Sequence, residues 1–402
     1  MLGRIWLKPG KEKNLLARHP WIFSGAIARV ENARDGDTVD VRDAAGKFLA
    51  RGYYNARSQI AVRVWTWGDE SVDRTFLRAR LERASAARVA SLDQTATNAY
   101  RLVNAESDFL PGLIVDRYAD FLVAQFLTLG IEQRKTEIVA LLAELFAPRG
   151  IFERSDVDVR AKEGLGSNVG GLFGAEPPER IEICENDLRL LVDVKRGHKT
   201  GWYLDQRENR RRVAQCLTAA GSRERAERQV LNVFSYTGGF AVAICGANND
   251  ARVINLDASR DALDLARENM RRNACAERGE FVEGDAFLVL RQYRDRGIAF
   301  DAIILDPPKF VHAQTQLQSG LRGYKDVNLL AFKLLKPGGI LATFSCSGHV
   351  SADLFQKVVF EAATDAKRDA QIVAQLSQSA DHPILLAFPE SAYLKGLICR
   401  VV

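Results

Sequence analysis

The alternation of strands and helices over the last half of the chain is the feature that most constrains its fold. Five apolar segments are predicted to be strands, with helical patterns in most of the intervals between them, at residues 229–233, 252–256, 280–282, 299–305 and 339–345. Such alternation is typical of a doubly wound parallel sheet with helices on both faces. Residues 383–388 and 393–402 are predicted as two more strands joined by a short turn. The sequence therefore predicts an α/β domain at residues 196–402 whose sheet ends in a hairpin.

The start of the chain has a different pattern, because short strands follow one another there without helices. They are predicted at residues 38–42, 48–53 and 60–65, which indicates a small β-barrel over residues 1–72. Residues 71–92 mix arginines with apolar residues that include Val89. We interpret this segment as an amphipathic connecting helix whose arginines, Arg88 among them, face solvent or RNA.

Residues 73–195 are predicted to form a third, small α+β domain. Beyond the connecting helix, its strands and extended segments surround one helix at 132–146, and they fall at residues 100–103, 112–116, 121–127, 150–154, 180–184 and 188–194. The glycine-rich segment 164–174 is predicted to be a loop. Three domains suit a chain of 402 residues, because a chain of this length exceeds one ordinary hydrophobic core.

The charge of the chain is only mildly basic, but it is unevenly distributed. The net charge is +5, and the first thirty residues hold one acid, Glu12, against six basic residues: Arg4, Lys8, Lys11, Lys13, Arg18 and Arg29. Trp6, Trp21 and Phe23 lie among them. A basic surface with interleaved aromatic rings is compatible with a phosphate-rich partner, and an ordinary solvated face explains the same residues equally well.

Cysteine usage and hydropathy indicate where the protein works. The six cysteines are scattered and contain no CxxC pair, which predicts a reducing compartment without disulfides or a zinc site. The first residues are charged where a signal peptide requires an apolar run, and no stretch approaches 18 apolar residues. We expect a cytoplasmic protein that needs neither a membrane nor a metal.

Polar residues follow three successive strands and predict a cofactor pocket. Residues 234–240 read Phe-Ser-Tyr-Thr-Gly-Gly-Phe, a turn that allows close backbone approach and exposes N–H groups at a helix start. Asp257 ends the next strand at the spacing where an acid accepts from ribose hydroxyls, and Asp285 follows the third strand, with Phe287 placed to flank an adenine ring. Each residue alone is ordinary surface or cap chemistry. Together, in order at strand ends, they indicate an adenosine-bearing cofactor.

The form of the glycine turn decides which cofactor is expected. The turn lacks the GxGxxG pattern of dinucleotide-binding sheets, and no GK[ST] follows the glycines as in a phosphate-binding loop. The arrangement of acids and the terminal hairpin favour S-adenosylmethionine. The residues predicted to contact it are Phe234, Tyr236, Thr237, Gly238, Gly239, Asp257, Asp285 and Ala286.

An acid and a thiol close the next two strands. Asp306 begins the sequence Asp-Pro-Pro-Lys-Phe, and Cys346 lies between two serines in Phe-Ser-Cys-Ser-Gly at residues 344–348. A thiolate that adds to C6 of a pyrimidine makes C5 nucleophilic enough to accept a methyl group, and an acid near N3 relieves the developing charge. The ordinary alternatives are a helix-start acid for Asp306 and a small buried side chain for Cys346, which is how the other five cysteines are interpreted.

Residues 198–207 precede the last domain and read His-Lys-Thr-Gly-Trp-Tyr-Leu-Asp-Gln-Arg. Their aromatic residues either line the amino-acid end of the cofactor, with Gln206 as a contact, or cap a helix that begins at Asp205. The sequence leaves both interpretations open.

With these motifs assembled, the chain resembles the large-subunit methyltransferase I family of bacterial 23S ribosomal RNA cytosine-C5 methyltransferases over its whole length. The resemblance also includes Arg-His-Pro-Trp-Ile-Phe-Ser-Gly at residues 18–25 and Arg-Gly-Tyr-Lys-Asp at residues 322–326. Asp-Pro-Pro alone is shared with amino-group methyltransferases, so the combination of motifs carries the likeness.

This resemblance implies a PUA-type RNA-binding β-barrel, a small α+β middle domain and a class I, Rossmann-like methyltransferase domain. It implies a cytosine of 23S ribosomal RNA as the substrate, Cys346 as the nucleophile and Asp306 as the acid that binds the cytosine and borders the cofactor. Substrate contacts are expected from Pro307, Lys309, Phe310 and Tyr324. Many related enzymes carry a second cysteine where this chain has Pro308, so the base that removes the C5 proton is not identified.

Two other functions remain open at this stage. The Asp-Pro-Pro turn is also compatible with direct methylation of an exocyclic amine in RNA, with Cys346 inert. A non-catalytic RNA-binding assembly factor with a relic pocket is the second alternative. The sequence does not decide the modified nucleotide, the preference for naked RNA or an assembled subunit, or whether the chain is a monomer or a homodimer.

Overall fold

Six short strands and a one-turn helix begin the chain. The computed structural model describes residues 2–219 and 227–402. Its first sheet has the order β2-β6-β5-β4-β1-β3, is antiparallel except for the β1/β4 pair, and is built from β1 (Gly3–Leu7), β2 (Trp21–Ile22), β3 (Ile27–Glu31), β4 (Thr38–Arg42), β5 (Phe48–Tyr54) and β6 (Val62–Thr66). Helix α1 (Lys13–Leu16) lies between β1 and β2. The predicted strands of this region are confirmed, and β1, β2 and β3 are additional.

A second sheet follows the connecting helix α2 (Arg74–Ser91). Its order is β11-β10-β9-β8-β7, and its strands are β7 (Ala99–Asn104), β8 (Leu113–Tyr118), β9 (Phe121–Phe126), β10 (Gly150–Ser155) and β11 (Asn168–Gly174). The predicted helix at 132–146 is present as α3 (Leu129–Gln133) and α4 (Lys135–Phe146). Strands β12 (Ile181–Glu185) and β13 (Leu188–Val192) pair only with each other.

Two sequence predictions for this region are wrong. Segment 164–174 is not only a loop, because Asn168–Gly174 forms β11, which pairs antiparallel with β10. Strands pair through main-chain groups, which glycines also have. Arg88 does not face solvent, since only 2% of it is exposed and its guanidinium donates to both carboxylate oxygens of Asp108 at 2.7 and 2.6 Å. Val89 is exposed instead. A buried arginine is tolerated when a carboxylate pairs with it, and that partner is distant in sequence.

The last half of the chain forms the predicted, mostly parallel sheet of seven strands. The strand order is β16-β15-β14-β17-β18-β20-β19, and the strands are β14 (Arg228–Val233), β15 (Ala251–Asp257), β16 (Gly279–Glu283), β17 (Phe300–Leu305), β18 (Leu335–Ser345), β19 (Ala370–Ser377) and β20 (Lys395–Val401). The helices of this half are α5 (Arg207–Ala219), α6 (Gly239–Ala247), α7 (Arg260–Arg272), α8 (Ala286–Asp295), α9 (Leu317–Leu334) and α10 (Ala352–Asp365). Apolar side chains such as Leu231, Ile303 and Leu341 are completely buried in its core.

The terminal hairpin contains a different strand from the one predicted. Strand β20 confirms the prediction at 393–402, but its partner is β19, which pairs from Ala370↔Val401 to Ser377↔Lys395. Residues 383–388 form no strand, and their apolar pattern is misleading because Leu386 is 98% exposed. Phe388 packs against Trp21, with ring centroids 4.6 Å apart, so this segment is fixed by contacts with the start of the chain.

By internal contacts the chain divides into two units. Unit 1 comprises Met1–Ile183, Val192–Leu204 and Ala380–Ser391, and unit 2 comprises Cys184–Leu191, Asp205–Ser379 and Ala392–Val402. The finer division into domains at 1–72, 73–195 and 196–402 stays a prediction. Within the described residues no helix has both the length and the apolar character needed to cross a membrane, and no three His, Cys, Asp or Glu side chains are grouped as a metal site would require.

Candidate active site

The site lies in unit 2, at the edge of the sheet where the parallel strands end. Strand β14 pairs with β15 on one side and with β17 on the other, so the connections after β14 and β17 leave in opposite directions along the sheet. A crevice forms at such a switch point, beyond the carboxyl ends of the strands, and ligands of open α/β sheets bind there. The predicted motifs at the ends of β14, β15, β16, β17 and β18 all belong to this edge.

The glycine turn after β14 is held in an unusual backbone conformation. Phe234 and Tyr236 have φ of 59° and 46°, the left-handed region that side chains disfavour, and Gly238 follows with φ of 80°. Main-chain bonds hold the turn: the Ser235 N–H donates to the Leu256 carbonyl at 3.1 Å and the Gly238 N–H to the Ser235 carbonyl at 3.0 Å. Left-handed residues of this kind concentrate at ligand sites. The turn thus places the start of α6 at the crevice.

Asp257 joins three strand ends. Its carboxylate accepts from the Tyr236 N–H at 2.8 Å and from the Ser259 N–H at 3.0 Å, one bond at each oxygen. Its own carbonyl accepts from the Gly284 N–H at 3.0 Å. A carboxylate oxygen can accept two hydrogen bonds, so Asp257 retains acceptor capacity for ribose hydroxyls. The structure therefore brings together the turn, Asp257 and residues 284–287, as the sequence predicted.

Asp285 has a structural task of its own. Its carboxylate accepts from the Leu288 N–H at 2.9 Å and caps α8, which begins at Ala286. The capping alternative named for such residues is therefore observed here. Asp285 is exposed, and its contact with the cofactor stays a prediction.

Two orphaned hydroxyls in the glycine turn provide a test of whether a polar cofactor fits. The side-chain oxygens of Ser235 and Thr237 are buried, and neither has a hydrogen-bond partner among the residues that the structure describes. Buried polar atoms of native proteins are normally satisfied, so such atoms mark a place where a partner is missing. An adenosyl and amino-acid ligand offers many donors and acceptors, and the turn fits it.

Phe310 of the Asp-Pro-Pro-Lys-Phe motif centres a group of aromatic rings. Its ring centroid lies 6.5 Å from that of Phe234, 6.1 Å from Phe287 and 4.8 Å from Tyr324. Phe310 is half-buried, whereas Tyr324 is completely buried. The Tyr324 ring thus packs against Phe310 inside the core. The predicted contact of Tyr324 with the substrate base would require its ring to become accessible.

The thiol and the acid end neighbouring strands. Strands β17 and β18 are parallel, and their last pair is Leu305↔Thr343, so Asp306 and Cys346 both lie just beyond it. Both residues are half-buried, Pro307 is buried, and Lys309 is exposed. The two motifs therefore share one rim of the sheet, which is the arrangement that the sequence predicted.

Ser347 fastens the loop after β18 to the loop after β17. Its hydroxyl accepts from the Val311 N–H at 3.3 Å and is bonded to the Tyr324 hydroxyl at 2.9 Å. Ser347 is completely buried, unlike its neighbour Cys346. The serine next to the thiol thus fixes the backbone, while the thiol itself stays accessible.

Two titratable groups, Tyr324 and Lys395, interact electrostatically with Cys346. Burial raises the pKa of Tyr324, and the Cys346 charge raises it further. Burial lowers the pKa of Lys395 to about 8, and the Cys346 thiolate opposes that shift. Three of the other cysteines, Cys245, Cys275 and Cys399, are buried as predicted, and burial raises the pKa of Cys399 to about 11. The expectation of burial is wrong for Cys184 and Cys216, which are half-buried as Cys346 is.

The remaining predicted contacts are only placed, not assigned a role. Gln206 is buried, and its side-chain oxygen accepts from the Asn209 amide at 2.6 Å. Trp202 is buried in unit 1, where its main-chain N–H donates to the Tyr118 hydroxyl at 3.2 Å. Helix α5 begins at Arg207, close to the start that the capping interpretation required. Gln206 as a cofactor contact stays a prediction.

The basic residues at the start of the chain form an exposed surface. Lys8, Lys11, Lys13, Arg18 and Arg29 are exposed. The two tryptophans are engaged internally, since the Trp6 ring lies 4.5 Å from the Arg29 guanidinium and the Trp21 indole donates to Glu106 at 2.7 Å. Phe23 is 46% exposed and is available to a partner.

Two residues of the site were missed by sequence reasoning. Ser347 was noted only as a neighbour of the thiol, and its pairing with Val311 and Tyr324 depends on tertiary contacts. The signal in the sequence that points to Lys395 is its position at the start of the apolar sequence Gly-Leu-Ile-Cys. A lysine is almost never buried in a strand unless other groups bind its ammonium.

Comparisons with known proteins match both halves of the chain. The family model for a PUA-like domain matches residues 5–67, and that for an S-adenosylmethionine-dependent methyltransferase matches residues 165–400. The chain is 48% identical to ribosomal RNA large subunit methyltransferase I of Klebsiella pneumoniae (strain 342), over 100% of this chain and 99% of that protein. It is also 48% identical to the protein of that name from Escherichia coli (strain SMS-3-5 / SECEC), over 100% of both chains.

Solved structures share the fold over the full length. The crystal structure of SMU.776, a methyltransferase complexed with SAH, has a TM-score of 0.84 at 22% identity and covers 100% of both chains. A SAM-dependent methyltransferase from Streptococcus mutans has a TM-score of 0.83, also at 22% identity and with 100% of both chains covered. At this identity the likeness establishes the fold alone.

Proposed function

The chain belongs to the family of S-adenosylmethionine-dependent methyltransferases that includes ribosomal RNA large subunit methyltransferase I, and from this premise we propose that it methylates C5 of a cytosine in 23S ribosomal RNA. The observation that carries the proposal is the fastening of two loops by Ser347. Its bonds to Val311 and Tyr324 hold the segment with Asp306 against the segment with Cys346. An acid and an accessible thiol on one rim, beside a cofactor crevice, suit pyrimidine C5 chemistry better than amine methylation, which needs no thiol.

The enzyme uses S-adenosylmethionine, which supplies an electrophilic methyl group on a sulfonium when bound. We assign its adenosine end to the side of the crevice formed by Asp257 and residues 284–287. Asp257 would accept from the ribose hydroxyls, and the orphaned hydroxyls of Ser235 and Thr237 would take polar groups of the ligand. Phe287 is half-buried beside Phe310 and would border the adenine.

Cys346 acts as the nucleophile in this proposal. Its thiolate forms a bond from sulfur to C6 of the cytosine, and the π electrons of the C5–C6 bond move into the ring toward N3 and the C2 carbonyl. C5 thereby becomes nucleophilic and takes the methyl group. Loss of the C5 proton returns its electron pair to the C5–C6 bond and expels the thiolate, which regenerates the enzyme. The base that receives this proton is not assigned.

Asp306 and Phe310 position the base. A protonated carboxyl at Asp306 donates to N3 while C6 is attacked, which neutralises the charge that moves there. Because the reacting atoms of a stacked base are inaccessible, the cytosine must leave its stack, and the half-buried Phe310 ring would stack on it. Lys309 is exposed beside this ring and is suited to a backbone phosphate.

The RNA partner is also supported by unit 1. Its first residues form an exposed basic surface and match a PUA-like family model. Such a surface contributes affinity through phosphates rather than base choice. A ribosomal RNA substrate implies that the enzyme works in the cytoplasm.

The test is to compare Cys346→Ala with the wild type on unmethylated 23S ribosomal RNA. We expect the wild type to produce 5-methylcytidine, detected by nucleoside mass spectrometry, and the variant to lose at least a thousandfold in rate. Cofactor affinity measured by calorimetry should stay within twofold, because the thiol is not among the assigned cofactor contacts. RNA that carries 5-fluorocytidine at the target should trap a covalent complex with the wild type only, since fluorine cannot leave as a proton does.

Cys216→Ala is the matched control, because Cys216 is another half-buried thiol of unit 2 and lies on α5. It should retain full activity. Formation of 5-methylcytidine by Cys346→Ala would refute the thiol mechanism. An N-methylated cytidine from the wild type would support the amine route, and cofactor binding without any product would support a non-catalytic role.

A further inference from the structure

Lys395 is a buried lysine directly across the sheet from the residue that precedes the catalytic thiol. It begins β20, and the antiparallel ladder pairs it with Ser345 of β18. Only 9% of its surface is exposed, and the next four residues of the strand are all buried. Lysines are almost never buried without a specific partner.

The ammonium of Lys395 binds the loop that carries the thiol. Its Nζ donates to the Ser347 carbonyl and to the Val350 carbonyl, both at 2.6 Å. These carbonyls follow Cys346 by one and four residues, so the loop wraps around the ammonium. Hydrogen bonds from a charged donor are about twice as strong as those between neutral groups. Lys395 therefore restrains the backbone on which Cys346 stands.

Opposing effects act on the protonated form of Lys395. The Cys346 thiolate favours its ammonium form, whereas burial and the Lys309 ammonium disfavour it. The pKa of Lys395 is lowered to about 8 as a result. From α9, the Tyr324 hydroxyl is bonded to Ser347 at 2.9 Å; burial raises the pKa of that hydroxyl, and the Cys346 charge raises it further. Of these groups, Lys395 is the buried cation, and its ammonium form is favoured when the sulfur is negative.

We propose that Lys395 is a positioning residue for Cys346: its two hydrogen bonds fix the loop from Ser347 to Val350, and its ammonium stabilises the thiolate form of the nucleophile. This inference rests on the proposed function of Cys346. The S–H bond breaks with its electron pair left on sulfur, the proton passes to water, and Lys395 keeps its own proton throughout. When the sulfur bonds to C6, the negative charge leaves it for the ring.

Lys395 could act on Cys346 as a counter-charge or only as a structural contact, and these two roles predict different results for the thiol. A purely structural contact affects activity only through the order of the loop. It leaves the pKa of the Cys346 thiol unchanged in any variant that folds. A counter-charge changes that pKa. Lys395→Met removes the charge and both donors, Lys395→Gln removes the charge but keeps an N–H donor, and Lys395→Arg keeps the charge.

The experiment measures the rate at which iodoacetamide alkylates Cys346 as a function of pH, on the full chain without RNA or cofactor. Mass spectrometry of the Cys346 peptide separates it from the other thiols. We expect the wild-type midpoint below the value of about 8.5 for an ordinary thiol. Lys395→Met and Lys395→Gln should raise the midpoint by about one pH unit, which is a tenfold slower alkylation near pH 7. Lys395→Arg should stay within a few tenths of a unit of the wild type.

Lys357→Met is the matched control, because Lys357 is an exposed lysine of α10 in unit 2. It should not move the midpoint. An unchanged midpoint in folded Lys395→Met or Lys395→Gln overturns the inference. A wild-type midpoint at or above that of an ordinary thiol also overturns the inference. This second measurement does not depend on the folding of any variant. A failure of the proposed function appears elsewhere, as 5-methylcytidine made by Cys346→Ala, so the two failures are distinguishable.

Discussion

At the scale of single residues, Asp257 and Ser347 make structural hydrogen bonds close to the groups that have proposed roles in binding and catalysis. The Asp257 carboxylate holds the Tyr236 N–H and still has lone pairs for a ribose. The Ser347 hydroxyl joins two loops while its neighbour Cys346 stays accessible. We expect the replacement of such a group by an isostere to reduce function, because it would remove the structural bond and the proposed ligand bond together.

Asp257→Asn tests this at the cofactor end. The amide keeps the size of the side chain but loses the charge, and its NH2 group opposes either Tyr236 or Ser259, both of which are donors. We expect the affinity for S-adenosylmethionine to fall at least tenfold by calorimetry. Asp264→Asn is the control, since Asp264 is an exposed acid on α7 that pairs with Arg267. Binding of the cofactor by Asp257→Asn within twofold of the wild type would contradict the assigned role.

At the scale of elements, the important feature is that loops from parallel strands meet at one edge and are tied there. Val311 follows β17, Ser347 follows β18, and Tyr324 lies on α9 between them in sequence. One hydroxyl joins all three elements. Loops beyond strand ends are otherwise among the less stable parts of a domain, so this hydroxyl, together with the Lys395 ammonium, restrains the loop that carries the thiol.

A double-mutant cycle of Ser347→Ala and Tyr324→Phe measures that tie. Ser347→Ala should cost about 1–3 kcal/mol of unfolding free energy, because it leaves the buried Tyr324 hydroxyl without this partner. Adding Tyr324→Phe removes the stranded hydroxyl, so the double variant should be less destabilised than the sum of the two single variants. Urea denaturation gives the three values. Additive effects would show that the Ser347–Tyr324 bond contributes nothing to the loop junction.

At the scale of the whole molecule, the charge is divided unequally. The chain carries a net charge of only +5, yet exposed basic residues concentrate at its start, in unit 1. The proposed catalytic residues, Asp306 and Cys346, belong to unit 2. Each phosphate contact releases counterions, so a basic surface acts through a salt-dependent contribution to affinity that is largely independent of sequence. RNA affinity and catalysis should therefore be separable by mutation.

The triple variant Lys11→Gln, Lys13→Gln and Arg18→Gln tests this separation. We expect the dependence of log affinity for RNA on log salt concentration to become shallower by about 2–3, since each lost phosphate contact removes about 0.7–0.9 from the slope. Cofactor affinity should be unchanged. The control replaces three exposed basic residues of unit 2 (Lys357, Lys367 and Arg294) with glutamine. Equal slopes for the two triple variants would show that the surface at the start of the chain has no special role.

The sequence by itself determined the first five strands of the last half of the chain, β14 to β18, and the residues at their ends. Strand periodicity is local, and the carboxyl ends of parallel strands must share one edge, so Asp257, Asp306 and Cys346 were predictable as neighbours of one crevice. Residues 383–388 show where this reasoning fails. Their apolar pattern resembles a strand, but the position beside β20 is taken by β19.

Only the tertiary structure decided which side chains serve the site from a distance. Lys395 reaches the loop after Cys346 because β20 runs antiparallel to β18, a register that no local pattern specifies. Arg88 is buried rather than exposed because Asp108 is folded against it. In both cases the cost of burying a charge is offset by a partner far along the chain, and desolvation of this kind depends on contacts that exist only in the folded state.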